Sequence, residues 1–345
     1  MSIRPEAGLK LSKVKHCVKL KSMRTDYRWQ IAPAKPETWI LAQELNLPNE
    51  IAAILVNRGI TTAAEAAYFL YGELNDLPDP FLMKGMRAAV DRILAAVERK
   101  EKIVVFGDYD VDGILSVVML VKVLRSLGAE VDYFIPERMK DGYGLKAHHL
   151  PQILARKARL LISVDCGIKA FDFVREARTH GLEVIITDHH HPGEGLPEAL
   201  AILNPVLESS GYPDRNLAGV GVVFKLIQAI YLRLGINQDL THYLKLASIG
   251  TVADVAELKG ENRILVKEGL KKLREARSPG LKSLMAAAGL SNRKLNETDL
   301  GFRLGPRINA AGRLGMTEMA LQLFFSDSPE ECSVIVQKLN ELNSA

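Results

Sequence analysis

The 345-residue sequence has few cysteines, no long apolar run and little net charge outside its first residues. Cys17, Cys166 and Cys332 show neither paired nor ligand-like spacing, which argues against a disulfide framework and against a thiolate zinc site. No apolar run approaches the roughly 18 residues of a membrane span. Internal repeats and low-complexity segments are also missing from the sequence. These absences indicate a globular chain of two or three core-bearing units in a reducing cytoplasm.

The positive charge is concentrated in the first 24 residues. Residues 1–24 contain seven Lys or Arg and one acid, which leaves residues 25–345 at −2 within a total of +4. The body of the chain is therefore not a general polyanion binder, and it needs local basic patches or metal ions to handle nucleic acid. The leader lacks the apolar core of a secretory signal and is expected to be a disordered extension. A DNA-binding arm and a start at Met23 are the alternatives.

Apolar periodicity divides the remainder into a helical region and an α/β region. Residues 25–100 predict a helical N-terminal region, with one helix opening at Pro48 and another capped at Thr61. From residue 101, short apolar runs alternate with helical patterns. The runs are residues 103–106, 131–135, 160–164, 182–187 and 201–203. They predict an α/β fold with a Rossmann-like parallel sheet, buried on both faces and flanked by helices, in a domain covering residues 101–320.

Acidic and histidine side chains follow three of the predicted strands. They are Asp108, Asp110, Asp112, Asp165 and Asp188-His189-His190. Ligands of an open parallel sheet bind outside the carboxyl ends of its strands, and like charges crowded there repel unless a cation lies among them. Mixed carboxylate and imidazole donors suit Mn²⁺ or Mg²⁺. A lone Asp in such a position is usually a helix N-cap, but acids at three successive strand ends favour a metal site.

Two later segments carry further candidate residues. Asp254 ends a nearly uncharged helical stretch, residues 247–255, so a metal ion or an arginine should compensate its charge. Residues 304–315 predict a Gly/Ala-rich loop in which Arg307, Asn309 and Arg313 can approach an anion. The alternative for this segment is a surface loop with solvated arginines.

The ordered set of motifs resembles the DHH phosphoesterase superfamily and, within it, the RecJ family of single-stranded-DNA-specific 5′→3′ exonucleases. The resemblance runs from about Trp29 to the C-terminus. Its strings are Phe106-Gly107-Asp108-Tyr109-Asp110-Val111-Asp112-Gly113, Ile135-Pro136-Glu137-Arg138, Gly142-Tyr143-Gly144, Leu217-Ala218-Gly219-Val220-Gly221, Gly250-Thr251-Val252-Ala253-Asp254, Gly260-Glu261-Asn262-Arg263 and Gly305-Pro306-Arg307-Ile308-Asn309-Ala310-Ala311-Gly312-Arg313.

The resemblance implies a role for each candidate residue. The implied metal ligands are Asp108, Asp110, Asp112, Asp165, His189 and Asp254. Asp112 and Asp165 are the residues expected to be shared between two ions, and His190 faces the scissile phosphate. The implied DNA contacts are Arg138 at the 5′ end, Tyr143 as a base-stacking ring, and Arg307, Asn309 and Arg313 at phosphates. A simple turn aromatic is the alternative for Tyr143.

The same resemblance implies cofactors, partners and further domains. Two Mn²⁺ or Mg²⁺ ions would support hydrolysis of single-stranded DNA to mononucleotides in DNA repair and recombination. The implied partners are single-stranded DNA, single-stranded-DNA-binding protein and a RecQ-type helicase, with no membrane. Members of the family continue through a linking helix into a second domain, DHHA1, and residues 321–345 are expected to begin that helix.

Three related functions are the alternatives. A DHH-type oligoribonuclease or cyclic-dinucleotide phosphodiesterase would use the same Asp and His residues on short substrates. A DHH-type pyrophosphatase would carry histidine four residues before Asp110, where this chain has Phe106. A Cdc45-like module that binds DNA without catalysis would have eroded ligands, whereas every ligand position is intact here.

Overall fold

The computed structural model describes residues 33–291, 293–313 and 316–344, so the basic leader, Met23 and Trp29 lie outside the described residues. Contacts divide the chain into two compact units, Met1–Ala63 and Ala64–Ala345. In the first unit, helices α1 (Pro36–Glu44) and α2 (Asn49–Asn57) pack against each other. The helix predicted to open at Pro48 is thus confirmed.

The second unit is built on one five-stranded sheet. Its strands are β1 (Ile103–Gly107), β2 (Val131–Phe134), β3 (Leu160–Val164), β4 (Glu183–Thr187) and β5 (Ala201–Leu203). Every pairing is parallel, and the strand order is β2-β1-β3-β4-β5. The predicted α/β fold with a parallel sheet flanked by helices is confirmed.

Helices make up most of the remaining structure. They are α3 (Ala63–Tyr71), α4 (Met86–Glu98), α5 (Val111–Ser126), α6 (Arg138–Asp141), α7 (Leu150–Ala155), α8 (Phe171–Thr179), α9 (Gly219–Leu234), α10 (Thr241–Ala253), α11 (Gly260–Leu273), α12 (Pro279–Ala287), α13 (Glu297–Asp299), α14 (Gly305–Arg313), α15 (Thr317–Phe325) and α16 (Pro329–Ser344). Residues 321–345 therefore contain the end of α15 and all of α16. Among the described residues, none of the helices has both the length and the apolar character needed to cross a bilayer.

Both faces of the sheet are buried along β1 and β3, whereas the edge strand β2 is partly buried, and this burial explains the unbroken apolar runs of the central strands. Because alternate side chains of a strand point to opposite faces, Ile103 and Val105 join the larger core, which also contains the apolar residues of α5 and α9. Val104 and Phe106 join the smaller core on the other face, together with side chains from α7 and α8.

The strand order creates the crevice in which a ligand of this fold is expected to bind. β1 lies between β2 and β3, so the chain leaves β1 toward one side of the sheet and later returns to its other side. In a sheet of this order, the crevice opens at the carboxyl ends of β1 and β3, where the direction of the connections reverses. Asp108 follows β1 and Asp165 follows β3, so both acids lie at this point.

The prediction of a loop at residues 304–315 is wrong. Gly305–Arg313 forms α14, and a π-helical turn, Leu300–Leu304, precedes it. Ile308 and Ala311 are fully buried, so packing against the core selects the helix. Pro306 is compatible with a helical first turn, and alanine is the best helix former, so the local sequence does not oppose this outcome. Leu314 and Gly315 lie outside the described residues.

Candidate metal centre

The turn after β1 delivers three acids in five residues. Asp110 is the N-cap of α5, and its Oδ1 accepts a hydrogen bond from the Gly113 N–H at 3.0 Å. A Cβ at Gly113 would lie 2.5 Å from the carbonyl oxygen of Asp108, so only glycine permits this turn to close so tightly. The ordinary role of a helix cap and a place in the acidic cluster therefore coincide at Asp110.

Asp112 is buried in the first turn of α5 and is held by a different helix. Its two carboxylate oxygens accept hydrogen bonds from the N–H groups of Gly219 at 2.8 Å and Val220 at 2.7 Å. These amides belong to the first turn of α9, whose own N-cap, Ala218, has no side-chain acceptor. The Asp112 carboxylate thus caps α9 and interacts favourably with its helix dipole.

Asp165 and His189 approach each other without forming a hydrogen bond. Asp165 has a φ of 60°, a left-handed conformation that Asp and Asn tolerate better than most residues. Its Oδ1 lies 3.0 Å from Nε2 of His189, yet neither atom has a hydrogen-bond partner. Asp254, at the C-cap of α10, is also close to this nitrogen, with its Oδ2 3.9 Å from Nε2.

The structure brings five carboxylates and two imidazoles into one cluster. Three overlapping groups, each with ligand atoms within 4.8 Å of one another, make it up. The groups are Asp108–Asp110–Asp165, Asp165–His189–His190 and Asp112–His189–Asp254. All six residues predicted as metal ligands are members, and His190 is the seventh. We call these seven residues the metal cluster. Asp165 and His189 each belong to two groups.

Burial and mutual repulsion disfavour the charged forms of the carboxylates in the metal cluster. Burial, followed by the nearby Asp110, raises the pKa of Asp108 to about 7. The same two causes raise the pKa of Asp254 to about 6. Burial and neighbouring carboxylates hold the pKa values of Asp112 and Asp165 well above their usual range. Without a compensating cation, the site therefore costs stability at neutral pH.

The donor set of the metal cluster fits a divalent cation. Asp108 Oδ1, Asp165 Oδ1 and His189 Nε2 are buried and have no hydrogen-bond partner. Burial, and then His190, lower the pKa of His189 to about 4, which keeps its imidazole neutral, as metal ligation requires. Among side chains that the structure describes, no Lys or Arg forms an ion pair with these carboxylates. Oxygen donors with one or two imidazoles suit Mn²⁺ or Mg²⁺.

Asp188 organises the two histidines, a role that sequence reasoning missed. Its buried carboxylate accepts hydrogen bonds from the backbone N–H groups of His189 at 2.8 Å and His190 at 3.0 Å, and it lies 2.7 Å from Nδ1 of His190. It also accepts the Ile168 N–H at 2.9 Å, which ties the loop after β4 to the loop after β3. The hydrogen bond from His190 is the largest cause of the raised pKa of that imidazole.

Replacing Asp188 with alanine is expected to lower the rate of the reaction at the metal cluster by about 10- to 100-fold. His190 would lose the acceptor that orients its ring, and the two loops would lose their connection. Separate measurement of kcat and KM for the metal-dependent reaction checks this expectation. Asp172→Ala, at an exposed carboxylate on α8, is the matched control. An Asp188→Ala enzyme with wild-type kcat would contradict the role.

Tyr143 and Arg138 flank the metal cluster. The Tyr143 hydroxyl lies 3.1 Å from Nδ1 of His190 and donates to the Asp165 carbonyl at 3.3 Å. The residue remains 46% exposed, so part of its ring faces solvent. The Arg138 guanidinium lies over the Tyr109 ring, 5.3 Å from its centroid, beside the turn that carries the first three acids. Both residues are thus next to the cluster.

The residues predicted to clamp phosphates lie on α14, but the structure does not bring Arg307 into contact with the metal cluster. Its guanidinium donates to Oδ1 of Asn340 at 2.7 Å and to the Arg303 carbonyl at 2.6 Å. Asn309 lies two residues further along α14 and is partly buried. Arg313 ends the helix, and its side chain lies outside the described part of the chain.

The end of α14 nevertheless reaches the acidic turn. A Cβ at Gly312 would lie 2.2 Å from the carbonyl oxygen of Tyr109, so the absence of a side chain allows helix and turn to touch through their backbones. The two nearest atoms at this contact belong to the backbone of Tyr109, which cannot move aside cheaply. The glycine in the Ala-Ala-Gly-Arg string therefore fixes the spacing between α14 and the metal cluster.

A cavity of about 290 Å³ opens beside His190. Tyr143, Lys146, Ile168 and Lys169 are among the residues that line it. The two lysines, which sequence reasoning did not single out, add positive charge to the lining next to the acidic cluster. Their isolated positions in the sequence carry no motif signal.

Asp141, His148 and His149 form a separate group that is poorly suited to a cation. Nε2 of His148 and of His149 lie 3.4 Å and 4.0 Å from Oδ1 of Asp141. However, the Lys146 backbone N–H donates to Nδ1 of His149, so the neutral ring carries its proton on Nε2, the atom that faces Asp141. A metal ion there would meet an N–H group instead of a lone pair.

Comparisons with known proteins identify similar sequences and structures. The profile described as "DHH family, N-terminal domain" matches residues 102–251, which contain the sheet and most of the metal cluster. The single-stranded-DNA-specific exonuclease RecJ of Bacillus subtilis is 41% identical over 92% of this chain and 40% of its own length. RecJ of Thermus thermophilus in complex with Mn²⁺ superposes with a TM-score of 0.78 at 36% identity, covering 93% of this chain and 46% of that one. The Mg²⁺ complex gives 0.69 at 33% identity, covering 92% and 42%.

Fold and site define a DHH-type protein, in which acids and histidines meet at the carboxyl ends of a parallel sheet. The chain belongs to the RecJ family, as its motifs predicted. It spans less than half the length of each of these three relatives.

Proposed function

We propose that the chain carries the metal-binding half of an exonuclease that hydrolyses single-stranded DNA in the 5′→3′ direction and releases mononucleotides. The observation that carries the proposal is the metal cluster with its three buried, unpartnered donor atoms. The name of the Bacillus subtilis relative, a single-stranded-DNA-specific exonuclease, supports the choice of substrate.

Two Mn²⁺ or Mg²⁺ ions are the proposed cofactors. Asp108, Asp110, Asp112, Asp165, His189 and Asp254 would hold them, with Asp112 and Asp165 shared. Bound there, divalent ions lower the pKa of a water molecule and neutralise the charge that develops on the phosphate. The neutral His189 is suited to ligation, as are Asp108 and Asp165, because each has a buried donor atom without a hydrogen-bond partner.

His190 is the proposed contact to the scissile phosphate. Its Nδ1 forms a hydrogen bond with the Asp188 carboxylate. This bond raises the pKa of the imidazole, which favours its cationic form. A cationic imidazole can donate to a phosphate oxygen and offset charge in the transition state. Asp188 thereby fixes the direction in which this donor points.

The proposed DNA contacts come from two residues beside the metal cluster and three residues of α14. Arg138 would hold the 5′ end, and the exposed part of the Tyr143 ring would stack against a base. Arg307, Asn309 and Arg313 on α14 would contact phosphates, which requires Arg307 to exchange its bond to Asn340 for DNA. The net charge of residues 25–345 is −2, so local cations of this kind must carry the electrostatic attraction.

The proposal extends to the cellular role. By family resemblance, we infer a function in DNA repair and recombination in the cytoplasm, together with single-stranded-DNA-binding protein and a RecQ-type helicase. Binding of each purified partner, measured with and without single-stranded DNA, tests this part separately from the chemistry.

The decisive experiment is a time course with three substrates, namely a 5′-phosphorylated single strand, the matching duplex and a dinucleotide. Each is incubated with Mn²⁺ or with EDTA, and the products are separated by chromatography. The proposal expects mononucleotides from the single strand in Mn²⁺ only, with the duplex spared. Cleavage confined to the dinucleotide would instead indicate an oligoribonuclease-like activity, and cleavage in EDTA would contradict a metal-dependent reaction.

A further inference from the structure

Asn262 lies outside the metal cluster but connects two loops that lead into it. The residue is fully buried in the first turn of α11. Its Nδ2 donates to two backbone carbonyls at once, that of Asn216 and that of Glu257, the latter at 3.1 Å. The Gly-Glu-Asn-Arg string that contains it has no place in the proposed chemistry.

Each of these carbonyls belongs to a loop that adjoins a proposed metal ligand or the backbone amides that hold one. Asn216 precedes the first turn of α9, whose Gly219 and Val220 amides hold both oxygens of Asp112. Glu257 lies in the loop that follows Asp254 at the end of α10. One side-chain amide therefore links the loop that positions Asp112 to the loop that begins at Asp254.

The start of α11 is anchored to the same loop by its backbone. The Glu261 N–H donates to Oδ2 of Asp214 at 2.6 Å, and Oδ1 of Asp214 accepts the N–H of Asn216 at 2.9 Å. Gly260 has a φ of 49°, and a Cβ on it would lie 2.0 Å from the Asp214 carboxylate. A side chain at position 260 would therefore displace the Asp214 carboxylate that anchors α11.

We propose that Asn262 is a positioning residue that sets the separation of Asp112 and Asp254, and so the affinity of the cation site formed by Asp112, His189 and Asp254. The neighbouring group, Asp108–Asp110–Asp165, is built from the loops after β1 and β3, which the Asn262 amide does not link, so we expect this group to change less. The inference rests on the proposed function for the presence of a cation in the cluster.

The identity of the residue fits this role. Linking two carbonyl oxygens requires a group that donates two hydrogen bonds, and the amide NH₂ of asparagine supplies both donors from one nitrogen. Residues behind a metal ligand that fix its orientation commonly change metal affinity by about 10- to 100-fold when they are removed. An effect of this size at one cation site and not at the other is the signature of the proposed link.

The test uses the Asn262→Ala protein. Binding of Mn²⁺ is followed by electron paramagnetic resonance and by calorimetry, and amide hydrogen exchange is followed at Gly219 and Val220 in EDTA. We expect one class of Mn²⁺ sites to weaken by about tenfold or more, the other to stay close to wild type, and exchange at both amides to accelerate. Asn296→Ala, which removes an exposed N-capping asparagine at α13, is the matched control.

Several results would overturn the proposal. One is a folded Asn262→Ala protein with unchanged Mn²⁺ binding and unchanged exchange at Gly219 and Val220. Another is an equal loss at both cation sites, which would mean a general loosening of the fold. If Asn262→Ala does not fold, the milder Asp214→Asn variant, which weakens the same loop from the other side, is judged by the same measurements. A wild-type protein that binds no Mn²⁺ would refute the proposed function, whereas the exchange at Gly219 and Val220 still tests the link itself.

Discussion

The Asp165→Asn protein is expected to lose the proposed Mn²⁺-dependent cleavage of single-stranded DNA and, in the absence of metal, to be more stable than wild type. Asp165 belongs to two of the three groups in the metal cluster, so its carboxylate is the most widely used one. Asparagine keeps the shape of the side chain. This matters because the Asp165 carboxylate packs so closely against Gly219 that a Cβ on residue 219 would lie 2.6 Å from its Oδ1. It also tolerates the left-handed backbone conformation at this position.

The two effects have one cause. Removing the carboxylate removes a shared metal ligand, and we expect activity to fall by more than about 100-fold, beyond the loss typical of residues that only support a ligand. The same change removes a buried charge from among other carboxylates, and relief of this repulsion is expected to raise the free energy of unfolding by about 1–2 kcal/mol. Active sites often carry such strain because function requires it.

Urea unfolding in EDTA at pH 8 and a cleavage assay in Mn²⁺ measure both effects on the same preparations. The control is Asp172→Asn, which makes the same chemical change at an exposed carboxylate and should alter stability by less than about 0.5 kcal/mol. Retained turnover in Asp165→Asn would refute the ligand assignment. Lower stability of the metal-free variant would refute the repulsion.

The Asp108→Asn protein is expected to show a stability advantage that depends on pH. Asp108 is buried, and its pKa is raised to about 7, whereas an unfolded chain restores the ordinary value near 4. Between these two values the folded wild type holds a proton that the unfolded chain has released, so wild-type stability falls as pH rises. Asparagine does not ionise and escapes this loss.

The advantage of Asp108→Asn should therefore be absent below about pH 4, grow between about pH 4 and 7, and stay constant above. Its full size is on the order of 4 kcal/mol, taking about 1.4 kcal/mol for each tenfold change in proton affinity. Histidines with a lowered pKa, such as His189, act in the opposite direction but are common to both proteins, so they cancel in the comparison.

Urea unfolding of the two proteins in EDTA at several pH values measures the pH dependence of their stability difference. Added Mn²⁺ should make the wild type more stable than Asp108→Asn above pH 7, because a cation that binds only the folded wild type stabilises it by mass action. A difference that does not vary with pH would show that Asp108 is not a buried acid of raised pKa.

The sequence predicts the sheet well because its strands are buried on both faces. Ile103–Gly107, Leu160–Val164 and Ala201–Leu203 coincide with unbroken apolar runs to within one residue. The convergence of acids also follows from the sequence, since parallel strands end at one edge. The strand order, which places Asp108 and Asp165 on either side of the switch point, depends on crossovers that no local pattern encodes.

What the sequence leaves hidden depends on contacts between distant segments. The Asp188 carboxylate accepts a hydrogen bond from the Ile168 N–H, 20 positions away in the sequence. The Asn262 amide donates to the Asn216 carbonyl, 46 positions away. The helical state of Gly305–Arg313 was missed for the same reason. Glycine, proline and asparagine favour turns locally, whereas burial of Ile308 and the backbone contact at Gly312 determine the outcome.

The double use of Asp112 changes how relatives of this chain should be compared. An acid that caps α9 is needed for the fold itself, so selection would retain it in a descendant that had given up catalysis. Asp108 has no comparable architectural duty, since one of its buried oxygens has no partner within the protein. In a survey of homologues, a substitution at position 108 would therefore be the earlier mark of a lost activity, and an aspartate at position 112 would say little about it.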